Sequence, residues 1–191
     1  MAALMGLSLA VHQNDRGVKL YITDGQDSSM QNNKMHCHLM RAAAILRAET
    51  QCQVLMWNTE TVMEPISADL TLIADCTHFT NYHAALLWTA VSHTRVGGSI
   101  WMCQPDRGNS WRLFQQLILR VNRNTPLLDV SERTYHEIET KHQDFLANDL
   151  YYKPNIHKPR IFALRKLRHE TEQDRIAIME HVERRSKTSQ D

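Results

Sequence analysis

What most constrains this chain is the alternation of short apolar, β-rich runs with helix-forming stretches. "GVKLYITD" (17–24), "QCQVLMWN" (51–58), "ADLTLIAD" (68–75) and "GGSIWMCQP" (97–105) have the length and composition of strands, the last stopped by proline. Between them, "SSMQNNKMHCHLMRAAAILRAET" (28–50), with a serine at its start, and "NYHAALLWTAVSHTRV" (81–96) have the composition of helices, as does "MAALMGLSLAVHQN" (1–14) ahead of the first strand. Strands separated by helices require βαβ crossovers, which are right-handed and build a parallel sheet. The fold class expected is α/β.

After Pro105 the pattern changes. "NSWRLFQQLILRVN" (109–122) and "EIETKHQDFLAND" (137–149) read as helices, "PLLDVSERTY" (126–135) and "KPRIFALRKL" (158–167) as strands. Two late strands outside a simple βαβ unit close such a sheet as an antiparallel edge pair. The last stretch is strongly charged with a thin apolar stripe at Ile178, Met179 and Val182, which predicts a surface helix running into a polar tail. The organisation expected is therefore one domain over residues 1–168 and a charged helix and tail over 169–191.

A chain of 191 residues, 42% hydrophobic, suffices for one sizeable core. Its 22 basic and 21 acidic side chains leave a net charge of +1, so nothing in the balance points to nucleic acid. Cys37, Cys52, Cys76 and Cys103 form no CxxC pair, which suggests a reducing compartment. The N-terminal apolar stretch lacks a basic flank and is too short to span a bilayer, so an intracellular, membrane-free protein is expected, cytoplasmic and also nuclear. His36, Cys37 and His38 are adjacent on a helix and do not face one another, so no metal site is expected there. Trp88, Trp101 and Trp111 fall inside strand or helix patterns and read as core. "RRSK" near the C-terminus reads as a solvated helix end, and "GGS" as a turn rather than a phosphate loop.

In open α/β sheets ligands sit outside the carboxyl ends of the strands. There the sequence places Asp24, Trp57-Asn58, Asp75 and Gln104-Pro105. Asp24 has two readings: Asp-Gly is a common turn dipeptide, and an acid at this position of a doubly wound sheet can accept both hydroxyls of a ribose. An aromatic at the next strand end could lie against a purine.

Five ordered segments, "YITDGQDSSMQNN", "VLMWNTE", "ADLTLIADCTHFTNYHAALLWTAV", "GGSIWMCQPDRGNSWRLFQQL" and "DLYYKPNIHKPRIFALRKL", resemble the seven-strand S-adenosylmethionine-dependent lysine methyltransferases, above all the branch acting on calmodulin. The similarity runs over roughly residues 4 to 168 and implies a Rossmann-like sheet, mostly parallel with an antiparallel edge. It implies S-adenosylmethionine as cofactor, a protein substrate, calmodulin, and a monomeric enzyme. Carried over residue by residue, Asp24 would hold the ribose hydroxyls, with Gly25 beside it. Trp57 would meet the adenine, Asn58 beside it would belong to the cofactor-binding residues, and Ala74 would line the cofactor. Asp75 and Phe79 would form the catalytic acid–aromatic motif that receives the lysine. His78 stands where relatives place the aromatic, and Phe79 follows one later. His78, Arg107 and Asn109, the last two in the Pro105–Asn109 segment, would contact the substrate.

The family's first strand and glycine-rich loop have no counterpart before "MAALMGLSLAV", which resembles the helix after that loop, so the first strand is expected to be missing. The alternative is a non-catalytic methyltransferase-like protein that keeps the fold for binding a partner.

Overall fold

A computed structural model describes residues 17–60 and 64–188, with side chains described as far as 180. The expected helix over 1–14, the side chain of Val182 and those of the "RRSK" run lie outside the described residues. The chain divides into two compact units, residues 1–57 and 58–191.

The first unit is a βαβ motif. Strand β1 (Lys19–Asp24) runs parallel to β2 (Glu49–Val54), in a register from Lys19 opposite Glu49 to Asp24 opposite Val54. Helix α1 (Asp27–Ala42) connects them. Its first turn begins at Asp27, with Gln26 as the flanking residue and no side-chain cap, so the expected serine start lies inside the helix. It also stops short of the expected residue 50. Ala44 takes a left-handed φ of 56°, and the Ile45 N–H turns back to the Met40 carbonyl at 2.9 Å. Arg41 then holds the returning chain through Nη2, 3.2 Å from the Thr50 carbonyl. That reversal matters because it delivers Leu46 and Ala48 into a core with Ile22, Met30 and Cys37.

Cys37 of α1 packs its thiol 3.8 Å from that of Cys52 on β2. Burial above all, with Cys52 beside it, pushes the Cys37 thiol from 9.0 up to about 11.

The second unit holds a sheet in the order β3-β4-β6-β5. Strand β3 (Ala68–Ala74) is parallel to β4 (Thr94–Gln104), and β6 (Arg160–Lys166) runs antiparallel both to β4 and to the edge strand β5 (Leu128–Arg133). The expected late antiparallel pair is present, with β6 as its inner member. No described strand pairs with the other edge of β1 or of β3.

Four helices, α2 (His83–His93), α3 (Ser110–Val121), α4 (His136–Asn148) and the short α5 (Pro154–His157), precede the C-terminal α6 (Glu172–Thr188). Helix α2 is apolar nearly all round and is buried nearly all round. Helix α3 is amphipathic, burying Trp111, Phe114, Leu117, Ile118 and Val121 while Leu119 on the opposite face stays exposed. The Trp111 ring stacks on Phe162 of β6 at 3.5 Å between centroids. Both α2 and α3 pack on α6, where Ile178 is fully buried and Met179 is not. Trp88 and Trp111 are core residues as expected, but Trp101 points to the outer face of β4.

Helix α2 passes into β4 without a loop, three residues earlier than the sequence suggests. Thr94 is already extended, and its hydroxyl donates to the Ala90 carbonyl at 2.8 Å. The buried Lys166 ammonium closes the helix end, donating to the carbonyls of Val91 at 2.8 Å and Thr94 at 2.9 Å and pairing with Glu170.

Beside this junction Gly98 has no room for a side chain: a Cβ there would lie 2.9 Å from the carbonyl oxygens of Ala68 and Arg95. Gly98→Ala is therefore expected to lower unfolding free energy by about 1–3 kcal/mol, read from the urea midpoint. A pH effect follows from Cys37. Its folded-state value lies above its ordinary one, so the stability it contributes is complete below pH 9.0 and is lost as pH rises toward about 11. Amide protection of α1 and β2 should fall over that window, and the fall should flatten in Cys37→Ala.

Candidate functional site

Strand β3 ends at Ala74, which is half-buried, and Asp75 is the first residue off the sheet. Its N–H still donates to the Cys103 carbonyl at 2.9 Å, but its φ of 52° is left-handed, so the chain turns sharply there. A non-glycine residue holds that conformation only where its surroundings fix it.

Those surroundings are built around Gln104, the last residue of β4. Alternation along the strand puts Ile100, Met102 and Gln104 on the buried face, and Gln104 is fully buried. Its Oε1 accepts from the N–H groups of Cys76 at 2.8 Å and Thr77 at 3.0 Å and from the Thr77 hydroxyl at 3.3 Å. Its Nε2 donates to the Ile73 carbonyl at 3.4 Å. From the other side, Nε2 of the buried His83 lies 2.6 Å from the Thr77 carbonyl, and its ring meets Phe114 edge-on. His83 is a support that sequence reasoning missed, and Gln104, expected at the rim of the sheet, is instead buried beneath the loop and holds it. Gln104 was legible, because period-two counting from Ile100 places an amide in the core, where it must find partners.

The held loop presents the Asp75 carboxylate. Arg107 grips it with both arms, Nε donating to Oδ1 at 3.0 Å and Nη2 to Oδ2 at 2.7 Å. Arg107 stands on the turn Arg107–Asn109 that leads into α3, where Gly108 and Asn109 have φ of 56° and 66°. Gly108 is needed for that backbone rather than for space, since a Cβ there would meet nothing. His78 Nδ1 lies 3.6 Å from Asp75 Oδ1, beyond hydrogen-bond reach, and its ring lies 3.8 Å from that of Phe79, which is half exposed. The Cys103 thiol nearby is raised by burial and then by the Asp75 charge.

The structure thus gathers Asp75, His78, Phe79 and Arg107. Asn109 is exposed on the neighbouring turn, and its side chain makes no hydrogen bond among the described residues. Further along the rim, Arg160 pairs with Glu132 through two bonds and lies 3.6 Å from Asp106. A shallow cleft beyond it, lined by Glu132, Tyr135, Ile138, Glu139, Lys158 and Arg160, is occupied by ion pairs of its own lining and does not contain Asp75.

In the first unit, Asp24 is half-buried at the carboxyl end of β1. Its Oδ1 accepts from the Gln26 N–H at 2.9 Å, so the turn reading of Asp24 is realised, and Oδ2 makes no hydrogen bond among the described residues. Gly25 lies against the loop after β2: a Cβ there would approach the Met56 sulfur to 3.2 Å. Trp57 follows on that loop, half-buried and three residues past the end of β2. Asn58 belongs to the second unit, where its N–H donates to the Thr89 hydroxyl at 3.2 Å and its side-chain oxygen accepts from the Glu60 N–H at 3.0 Å.

Among the described residues no group of His, Cys, Asp and Glu could hold a metal ion, and no helix is long and apolar enough to cross a membrane.

Residues 2–121, more than half of the chain, match the model of a family described as lysine methyltransferase. A search of curated proteins finds no match. Among solved structures the chain is similar to the StiE O-MT, with a TM-score of 0.51, 14% identity, and 93% of this chain and 70% of that one covered. It is also similar to a SAM-dependent methyltransferase from Methanosarcina mazei (TM-score 0.48, 10% identity, 85% and 87% covered). A third is the O-methyltransferase of a trans-AT PKS multienzyme of Brevibacillus brevis, in complex with S-adenosyl-L-homocysteine (TM-score 0.47, 10% identity, 94% and 75% covered). The α/β fold, with a mostly parallel sheet and antiparallel late strands, is that of Rossmann-like methyltransferases.

The amide of Gln104 is what holds the loop that carries Asp75. Gln104→Leu removes the acceptor for two backbone N–H groups and is expected to cost about 2–4 kcal/mol, measured by urea unfolding. An unchanged midpoint would show that the loop finds other partners.

Proposed function

We propose that this chain, which belongs to the lysine methyltransferase family, methylates the side-chain amine of a lysine in a protein substrate, with S-adenosylmethionine as donor and calmodulin as the substrate that sequence resemblance favours. The observation that carries the reading is Asp75: in a chain of this family it stands just beyond a strand's carboxyl end, gripped by Arg107, with the half-exposed ring of Phe79 nearby.

The donor supplies an activated methyl group on a sulfonium: the amine nitrogen forms the new C–N bond as the C–S bond breaks, leaving S-adenosylhomocysteine. The residues present suit it. Asp24 keeps Oδ2 available for hydroxyl donors while Oδ1 holds its own turn, and the Trp57 indole offers an aromatic face. In the first unit Gly25 presents backbone; in the second, Ala74 presents a small side chain and Asn58 a polar group on an anchored loop.

On the substrate side this chain's residues orient and desolvate. Asp75 accepts a hydrogen bond from the incoming amine and so fixes the direction of its lone pair. Phe79 and His78 give that amine an aromatic wall, and Asn109 offers a polar contact at the mouth. Alignment of nitrogen, methyl carbon and sulfur then accounts for much of the rate.

The full chain is to be incubated with S-adenosylmethionine labelled in the methyl group, against calmodulin and against a whole-cell lysate. Label on calmodulin supports the whole proposal; label on other proteins alone keeps the methyltransferase and removes this substrate. No label from a folded protein would favour a non-catalytic, partner-binding role. In parallel, Asp24→Ala should lose about 1.5–3 kcal/mol of S-adenosylmethionine affinity by calorimetry, the range for a hydrogen bond to a charged group. Unchanged affinity would leave Asp24 as a turn residue alone.

A further inference from the structure

Methyl transfer requires a neutral amine, yet the acid that would meet the lysine favours its charged form. A bare carboxylate within a few ångströms stabilises an ammonium and holds its proton on. In this chain the carboxylate is not bare. Both Asp75 oxygens are bonded to the Arg107 guanidinium, at 3.0 and 2.7 Å, and a guanidinium keeps its charge at any working pH. Pairing of this kind leaves each oxygen with further lone pairs, so Asp75 can still accept from a substrate amine while the net charge facing that amine is near zero.

We propose that Arg107 is a positioning residue that fixes and neutralises Asp75, so that an arriving lysine is oriented by the carboxylate without being held as an ammonium. The inference rests on the lysine methyltransferase reading and departs from the role sequence resemblance implied for Arg107, a contact to substrate. The lysine releases its proton to water before attack, and no residue of the chain has to take it.

The other groups facing Asp75 do not supply this neutralisation. His78 Nδ1, from the loop after β3, lies 3.6 Å away, beyond hydrogen-bond reach of the carboxylate. Cys103 on β4 carries a thiol that burial and the Asp75 charge keep protonated. Asp106, from the turn after β4, leans toward Arg160 at 3.6 Å. Arg107 is the cation that touches Asp75 among the described residues.

The test is the pH dependence of kcat for the full chain at saturating substrate, which reads the lysine in the bound complex, using labelled S-adenosylmethionine and calmodulin, or the principal labelled lysate protein if calmodulin is not a substrate. In wild type the rate rises with pH as the amine becomes neutral. In Arg107→Met the midpoint of that rise is expected to move up by about one pH unit, the low end of the shift one nearby charge produces, and Arg107→Lys to restore most of it. His78→Gln should leave the midpoint in place. A rise at the wild-type midpoint in Arg107→Met, with KM alone increased, would overturn the inference and return Arg107 to contacting the substrate. A uniform loss at every pH, tracking a lowered melting temperature and without recovery in Arg107→Lys, would overturn it in favour of a structural role. If wild type labels nothing, the methyltransferase reading itself falls and this inference with it, an outcome distinct from an active enzyme whose midpoint does not move.

Discussion

The site depends on one buried amide. A sharp left-handed turn directly after a strand is unfavourable for an aspartate, and the backbone N–H groups that follow it face the interior, where an unmade hydrogen bond costs about 1–3 kcal/mol. Gln104 answers both demands. Its carbonyl collects the N–H groups of Cys76 and Thr77, its amide returns a bond to Ile73, and His83 closes the far side of Thr77. Because Gln104 ends β4, and the turn bearing Arg107 begins just beyond it, one strand end supports both the acid and the arginine that grips it. The Trp111–Phe162 stack beneath fixes the start of α3 against β6, so the turn between β4 and α3 is held at both ends.

Much of this was legible in the sequence because burial imposes period on strands and helices. The β-rich runs of both units appear where alternation and composition put them, and Asp24 and Asp75 fall at strand ends as expected. What was not legible depended on contacts distant in sequence. The sequence "AAAILRAET" would extend helix α1, but Leu46 and Ala48 gain more from the core under β1 and β2 than the helix gains from about two more turns. Thr94 likewise leaves α2 early because Lys166, far away in the chain, satisfies the helix's last carbonyls.

Residue roles were harder to read than elements, for the same reason. Asn58 and Trp57 are neighbours in sequence, yet Asn58 is anchored to α2 through Thr89 while Trp57 belongs with the first unit. Asp24 was open between a turn residue and a ligand residue, and its geometry shows why the two are compatible: a carboxylate has two oxygens, and the Asx-type turn uses one. Arg107 was expected from the resemblance to contact the substrate, and its partner in the structure is Asp75. A side chain's partner lies on another element, and no local pattern contains it.

The pairing of Asp75 with Arg107 also bears on how a site of this kind tolerates change. An isolated carboxylate at a surface can orient a cationic substrate with little help, but it cannot distinguish an ammonium from an amine except by favouring the wrong one. A bidentate guanidinium cancels most of that preference without moving the acceptor oxygens, because the fork fixes both of them in one plane. Lysine at position 107 would return the charge without the plane, so it separates the electrostatic part of the arginine's work from the geometric part. The shifted aromatic fits the same logic: with His78 in contact with Phe79 rather than bonded to Asp75, the acid's orientation is left to Arg107.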